Sequence, residues 1–261
     1  MTNASNSPHL FEQEISKTRQ GWQNIFPQYS RTFRNKLDAM RTRTFRVLGM
    51  PFDILAEQRL HSICKSFIPQ SGSAARSSAI LIMANDIILN NRRILVEFGA
   101  GSSTLYLGAL AAAHNRAVYS IEHNEEFVEV MRRLVSQLGL SNFVQIIHAP
   151  LSDNNLVNGS KGWYDHNIVS DALPRQNIDL IFVDGPPAYE RLDEQVRYPA
   201  VPILADRISD SCIIFLDDIG RRSERSTIAR WGAELNLTPQ YLGPRGSMGY
   251  LVRGTYNYFL Q

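Results

Sequence analysis

A chain of 261 residues, 44% hydrophobic and 20% charged, has the composition of an ordinary globular protein and the length for one sizeable core. Its formal net charge of +2 is too small to argue for nucleic acid or an acidic membrane as partner. Two cysteines, Cys64 and Cys212, exclude a disulfide framework, and no run approaches the ~18 apolar residues of a membrane span.

Residues 1–50 read as a basic, partly helical N-terminal extension. Its start, MTNASNSPHLFEQEISK, lacks the basic-then-apolar layout of a secretory signal, which with the scarcity of cysteine predicts a cytoplasmic protein. Between Arg31 and Arg46 six basic residues face one acid, Asp38. Residues 51–92 are expected to form a helical cap. There DILAEQRLHSICKSFI spaces Leu55, Leu60, Ile63 and Phe67 as a helix would, and SSAILIMANDIILNN reads as a second helix ending at its Asn pair. From 93 to 254 the texture changes. Short apolar runs at 93–99, 117–124, 144–150, 178–185 and 212–218 alternate with helical patterns, the last of them AYERLDEQVRYPAVPILADRI. Strand and helix in alternation predict an α/β fold with a parallel sheet covered on both faces. Residues 152–177 form a polar insert too long for an ordinary connection, in which Trp163 and Tyr164 either close over a pocket or pin the loop to the body. TPQYLGPRGSMGYLVRG predicts a closing antiparallel hairpin around Pro244 to Ser247, and residues 255–261 a tail.

The chemistry gathers where the first run meets its helix, in ILVEFGAGSSTLYLGAL. Gly99 and Gly101 permit positive φ and close approach of a ligand to the backbone, and Ser102, Ser103 and Thr104 open the helix with free N–H groups. Glu122, 25 residues beyond Glu97, closes the second run, where a carboxylate can hold both hydroxyls of a ribose. A nicotinamide or flavin dinucleotide would use the same parts. Against such an oxidoreductase, the third fingerprint position is Thr104 rather than Gly or Ala, and Glu97 suits a ligand with a cationic end better than a pyrophosphate.

In that order, VEFGAGSST, YSIEHNEEF, IIHAPLSD, LIFVDGPP and IIFLDDIG resemble the successive motifs of the class I S-adenosylmethionine-dependent methyltransferases, across residues 75 to 254. The resemblance implies a Rossmann-like, mostly parallel seven-stranded sheet of order 3-2-1-4-5-7-6 with helices on both faces and a C-terminal antiparallel hairpin. It implies that Glu97, Gly99, Ala100, Gly101 and Ser102 line the methionine half of the cofactor, that Glu122 and His123 hold the ribose side, and that Ala149, Pro150 and Leu151 border the adenine. Asp184 would face the sulfonium and the acceptor as the catalytic candidate.

Asp184, Asp217 and Asp218 follow the fourth and fifth runs, whose neighbouring ends would crowd three carboxylates together. Mg²⁺ or another divalent cation is the natural counter-charge. Catechol O-methyltransferase-type enzymes, which this region resembles, hold a metal with acids in such places. The departures are Gly185 where that subgroup carries a lysine, and Asp218 where it often carries Asn. Asp184 could instead form a turn, and Asp217 or Asp218 could cap a helix near Ser223. His123, His148 and His166 are candidate bases, none singled out by its spacing, and Arg221, Arg222 and Arg225 offer positive charge. The expected function is methyl transfer to oxygen of a small molecule or glycan, with a homodimer as an open option. A dinucleotide oxidoreductase and an RNA-directed methyltransferase are the alternatives. Sparse aromatic residues near the basic segment, Phe33 and Phe45, and DGPP in place of an NPPY-type motif count against nucleic acid.

Overall fold

The computed structural model describes residues 50–70, 74–153, 161–175, 177–188, 195–243 and 247–254, all within the unit Ala39–Gln261. The basic segment, the tail and the turn at Pro244 to Gly246 lie outside the described residues.

Five parallel strands follow the apolar runs: β1 (Ile94–Phe98), β2 (Ala117–Glu122), β3 (Val144–His148), then, after a hairpin of β4 (Leu151–Asp153) and β5 (Lys161–Tyr164), β6 (Ile178–Val183) and β7 (Ile208–Leu216). Short β8 (Gln240–Tyr241) and β9 (Gly249–Arg253) add the antiparallel pair. The seven-stranded sheet runs β3-β2-β1-β6-β7-β9-β8. Counting that sheet's strands alone, this is the order 3-2-1-4-5-7-6 that the resemblance implies. No described helix is long and apolar enough to cross a membrane.

The helices are α1 (50–63), α2 (Ser77–Leu89), α3 (Ser102–His114), α4 (Glu125–Gln137), α5 (His166–Ala172) and α6 (Arg222–Leu235). Strand side chains alternate between two cores. Leu95, Leu180, Phe182, Ile213 and Phe215 pack with Leu60, Met83 and Leu105 on one face. Val96, Phe98, Ile181, Val183, Ile214 and Leu216 pack with Trp163, Tyr164 and Trp231 on the other. Burial on both faces is why these strands read as continuous apolar runs.

Several expectations change. Helix α1 ends at residue 63 and buries Ala56 and Leu60 on one stripe, with Cys64 just beyond, leaving Leu55 and Phe67 exposed. Strand β7 begins at Ile208, ahead of the apolar run, because the half-exposed to exposed Ser209, Asp210 and Ser211 hide its start. The last helical pattern yields only 3₁₀ turns at Tyr198–Ala200 and Pro202–Leu204 among its described residues. Pro199 and Pro202 each remove an N–H and clash with a preceding turn, so an α-helix is not sustained there. The polar insert, by contrast, carries the β4–β5 hairpin and α5, whose N-cap Asp165 accepts from Asn167 and Ile168 N–H.

Candidate functional site

The parallel strands end in step. Gly99 N–H donates to Ile121 O and Ala149 N–H to Glu122 O, each at 2.9 Å. Asp184 N–H donates to Phe98 O at 2.9 Å and Asp217 N–H to Val183 O at 3.0 Å. The ladder thus sets Gly99, Glu122, Ala149, Asp184 and Asp217 along one edge, where open α/β sheets bind ligands.

Gly99 turns the chain at φ +99°. A Cβ there would lie 2.9 Å from Gly185 N, and a Cβ on Gly185 would lie 2.8 Å from Gly99 Cα. The loops after β1 and β6 therefore meet backbone to backbone, and both positions need glycine for space. A Cβ on Gly185 would also sit 2.3 Å from Tyr164 Oη. The hairpin is pinned: Trp163 and Tyr164 are buried, with rings 5.1 Å and 5.9 Å from Phe98. Tyr164 Oη is buried without a hydrogen-bond partner among the described residues. Burial, then the nearby Glu122 charge, raises its pKa well above the usual tyrosine value, against the pull of Arg197.

Strand periodicity turns Glu97 to the Leu95 face, under the start of α3, and the parallel register sets Ser120 beside it. Its Oε1 accepts from Ser103 Oγ at 2.5 Å, and its Oε2 from Thr104 Oγ1 at 2.5 Å and Ser120 Oγ at 2.8 Å. Thr104 Oγ1 in turn accepts from Gly101 N–H at 2.9 Å, fixing the glycine turn. Glu97 is wholly buried. Burial pushes its pKa up to about 7, although the three hydroxyls pull it down. The sequence suggested an acid facing a cationic ligand. In the fold both oxygens are taken by hydroxyls and the carboxyl braces the turn from below. Thr104, the residue that breaks the dinucleotide fingerprint, is part of that brace.

Glu122 differs. Its Oε1 accepts from His123 N–H at 2.8 Å and Asn124 N–H at 2.7 Å, with His123 Nδ1 2.8 Å away. Burial alone would raise its pKa, but the His123 side chain and the two N–H groups outweigh it, and the net direction is down. Oε2 has no hydrogen bond among the described residues. Ser102 Oγ, at the first position of α3, is likewise buried and unpartnered. Gly99, Ala100 and Gly101 are half-buried, Ala149 is buried, and Pro150 and Leu151 are exposed. His148 Nε2 lies 3.2 Å from His123 O, while exposed His166 opens α5.

Beyond β6 and β7 the three aspartates do cluster, and the sequence reading missed the group at their centre. Arg197 is buried; its Nη2 lies 3.4 Å from Asp184 Oδ1 and 3.4 Å from Asp218 Oδ2. The same Nη2 donates to Asp184 O at 2.7 Å, and Nε donates to Pro186 O at 3.3 Å. Nη1 has no partner among the described residues. Burial works against its charge, but Asp184, Asp218 and Glu224 hold the guanidinium protonated. Arg221 Nη2 pairs with Asp218 Oδ2 at 2.9 Å. Burial and then Asp217 raise the Asp184 pKa well above the carboxylate range, against Arg197. Burial and then Asp218 push Asp217 up to about 7. Asp218 sits at φ +58°, and its N–H donates to Asp217 Oδ1 at 2.7 Å. Neither acid caps α6, whose N-cap is Arg221 without a side-chain bond. Arg225 donates to Ile219 O and Gly220 O, holding the loop before α6. Among the described residues, no group of three or more His, Cys, Asp or Glu side chains is arranged to hold a metal ion. The Asp184 and Asp218 carboxylates fit that role poorly, because the Arg197 guanidinium already meets one oxygen of each.

Residues 96–219 match the model of a family described as a methyltransferase domain. Over 136 residues, half of the chain, the sequence is 29% identical to protein-L-isoaspartate O-methyltransferase of Petrotoga mobilis, and it spans 58% of that curated relative's length. Among solved structures, the fold resembles the S-adenosylhomocysteine-bound methyltransferase PaMTH1 of Podospora anserina (TM-score 0.53, 13% identity, 87% of this chain and 97% of that one). It also resembles a candidate caffeoyl-CoA O-methyltransferase of Staphylococcus aureus (TM-score 0.52, 13% identity, 78% and 92%). At such identities the structural likeness is one of fold.

Proposed function

We propose that this chain is a class I S-adenosylmethionine-dependent methyltransferase and transfers a methyl group from that cofactor to an oxygen of a small-molecule acceptor. The observation that carries the reading is Glu122. Two N–H groups and His123 gather on Oε1 and favour the ionised carboxylate, while Oε2 has no hydrogen bond among the described residues. An ionised carboxylate fixed by one oxygen is suited to receive both hydroxyls of a ribose with the other.

The cofactor supplies a methyl group already activated on a sulfonium, so the chain's task is orientation and exclusion of water. In this reading Ser102 Oγ and the N–H groups opening α3 hold the amino-acid end, and Ala149, Pro150 and Leu151 border the adenine. Glu97 acts through Ser103, Thr104 and Gly101 rather than by touching the ligand. Asp184 accepts the proton of an acceptor hydroxyl from its ionised form, which Arg197 beside it favours against burial and Asp217. Residues 93–254 form the catalytic domain and 51–92 a helical cap. The O-methyltransferase names borne by two of the relatives support oxygen as the target. The basic segment at Arg31 to Arg46, which motivated an RNA-directed reading, lies outside the described residues and adds nothing to it.

Calorimetric titration with S-adenosylmethionine, S-adenosylhomocysteine and NAD⁺ tests the proposal. The sulfonium cofactor or its product binds, NAD⁺ does not, and Glu122→Ala weakens binding at least tenfold, about 1.4 kcal/mol. That is the lower end for hydrogen bonds to a charged group. Binding of NAD⁺ alone, or unchanged affinity in the variant, sinks the reading.

A further inference from the structure

Four acids gather beyond β6 and β7: Asp184, Asp217, Asp218 and Glu224. Close carboxylates repel unless a cation stands among them, and a hard divalent ion takes oxygen ligands, carboxylate and carbonyl alike. Oxygens of those types are present, and several are already engaged. The Arg197 guanidinium meets the carboxylates of Asp184 and Asp218 and the carbonyls of Asp184 and Pro186. It is buried, and the Pro186 carbonyl it binds closes the Asp184–Gly185–Pro186 turn packed on Gly99.

We infer that Arg197 occupies the place a divalent cation would take in this acid cluster, so that the acceptor pocket carries a built-in cation and binds its substrate without chelation. The inference rests on the methyltransferase reading for the identity of the pocket, and on Arg197's own contacts for the rest. A guanidinium stays charged at any physiological pH and presents its donors in a fixed plane. Nε and Nη2 are used within the chain, whereas Nη1 is buried with no partner among the described residues. That donor is the one left for an acceptor oxygen. The acceptor class that follows is a molecule offering a single oxygen to a hydrogen-bond donor. A vicinal pair of hydroxyls, which a metal would gather, is not required.

Mn²⁺ titrated into the full chain and read by electron paramagnetic resonance tests this, with Arg197→Met and the Arg197→Met/Asp217→Asn double variant alongside. Wild type leaves Mn²⁺ free up to about 1 mM, the weak end of protein sites for hard cations. Arg197→Met, with its acids uncovered, binds Mn²⁺ at least tenfold more tightly, and the double variant loses that gain. Stoichiometric binding by wild type overturns the inference. So does a folded Arg197→Met variant as silent as wild type. Where that variant does not fold, the wild-type titration decides alone. Calorimetry of wild type with S-adenosylhomocysteine, run in parallel, reports separately on the methyltransferase reading: loss of that binding fells the reading and leaves the Mn²⁺ result intact.

Discussion

Replacing Glu97 by Gln removes a buried proton-binding group while keeping its shape. In the fold its pKa is raised from 4.5 to about 7, first by burial. At about 1.4 kcal/mol per pH unit, that gap corresponds to about 3 kcal/mol. The folded chain holds this proton more tightly than the unfolded chain. Its contribution is therefore full below about pH 4.5, falls as pH rises toward 7, and is constant beyond. Glutamine does not titrate, and its amide can still meet Ser103, Thr104 and Ser120 once their hydroxyls rotate. Urea unfolding followed by circular dichroism, at constant ionic strength between about pH 5 and pH 8, gives the difference between wild type and Glu97→Gln. That difference moves in favour of the variant by about 2–3 kcal/mol across the interval. Titration of groups that do not feel the Glu97 charge is common to both proteins and cancels, while Asp184 and Glu122, which do feel it, add a residual of their own. Glu97→Ala, which strands three hydroxyls and opens a cavity, costs about 3 kcal/mol or more at every pH. A pH-independent difference between wild type and Glu97→Gln would refute the picture of a buried carboxyl that is half-protonated near neutrality.

Asp217, pushed up to about 7 by burial and Asp218, also stabilises the fold most when protonated, below the unfolded value of 3.8, and loses that contribution through pH 7. Asp217→Asn keeps the acceptor for Asp218 N–H, so in urea unfolding above pH 7 it is more stable than wild type, by up to about 4 kcal/mol on the same conversion, with the gain vanishing near pH 4. Gly185→Ala drives a methyl onto Tyr164 Oη and Gly99 Cα, costing about 1–3 kcal/mol in thermal melts and weakening S-adenosylhomocysteine at least tenfold by calorimetry. Adding Tyr164→Phe restores part of the melting temperature only, because the Gly99 contact remains. Full restoration would show that the backbone seam tolerates a side chain.

Much of the sheet was legible because burial on both faces writes strands as apolar runs, and because acids and glycines mark where those runs end. Glu122 could be picked out on spacing alone. Glu97 could be located, but its partners could not: Ser120 reaches it through inter-strand register, which a linear sequence does not display. Arg197 was missed for a related reason. It lies 13 residues beyond Asp184, in a stretch whose apolar spacing reads as helix while Pro199 and Pro202 break it into 3₁₀ turns. A signal was available in VRYPAVPIL, where a lone arginine sits in a run that is otherwise apolar and proline-rich. Such an arginine is buried only with partners, and the clustered acids were waiting for one. The β4–β5 hairpin hid inside a polar insert because Trp163 and Tyr164 are its sole large buried anchors among the described residues.

The backbone seam between Gly99 and Gly185 has a consequence for how such a protein diversifies. One loop belongs to the proposed cofactor cradle and the other to the proposed acceptor wall, and neither can acquire a side chain without parting them. The two form one backbone keel, common to whatever acceptor the proposed reaction takes. New acceptors must then be accommodated by residues outside that seam. Libraries aimed at changing specificity should leave residues 99 and 185 alone and spend their diversity there.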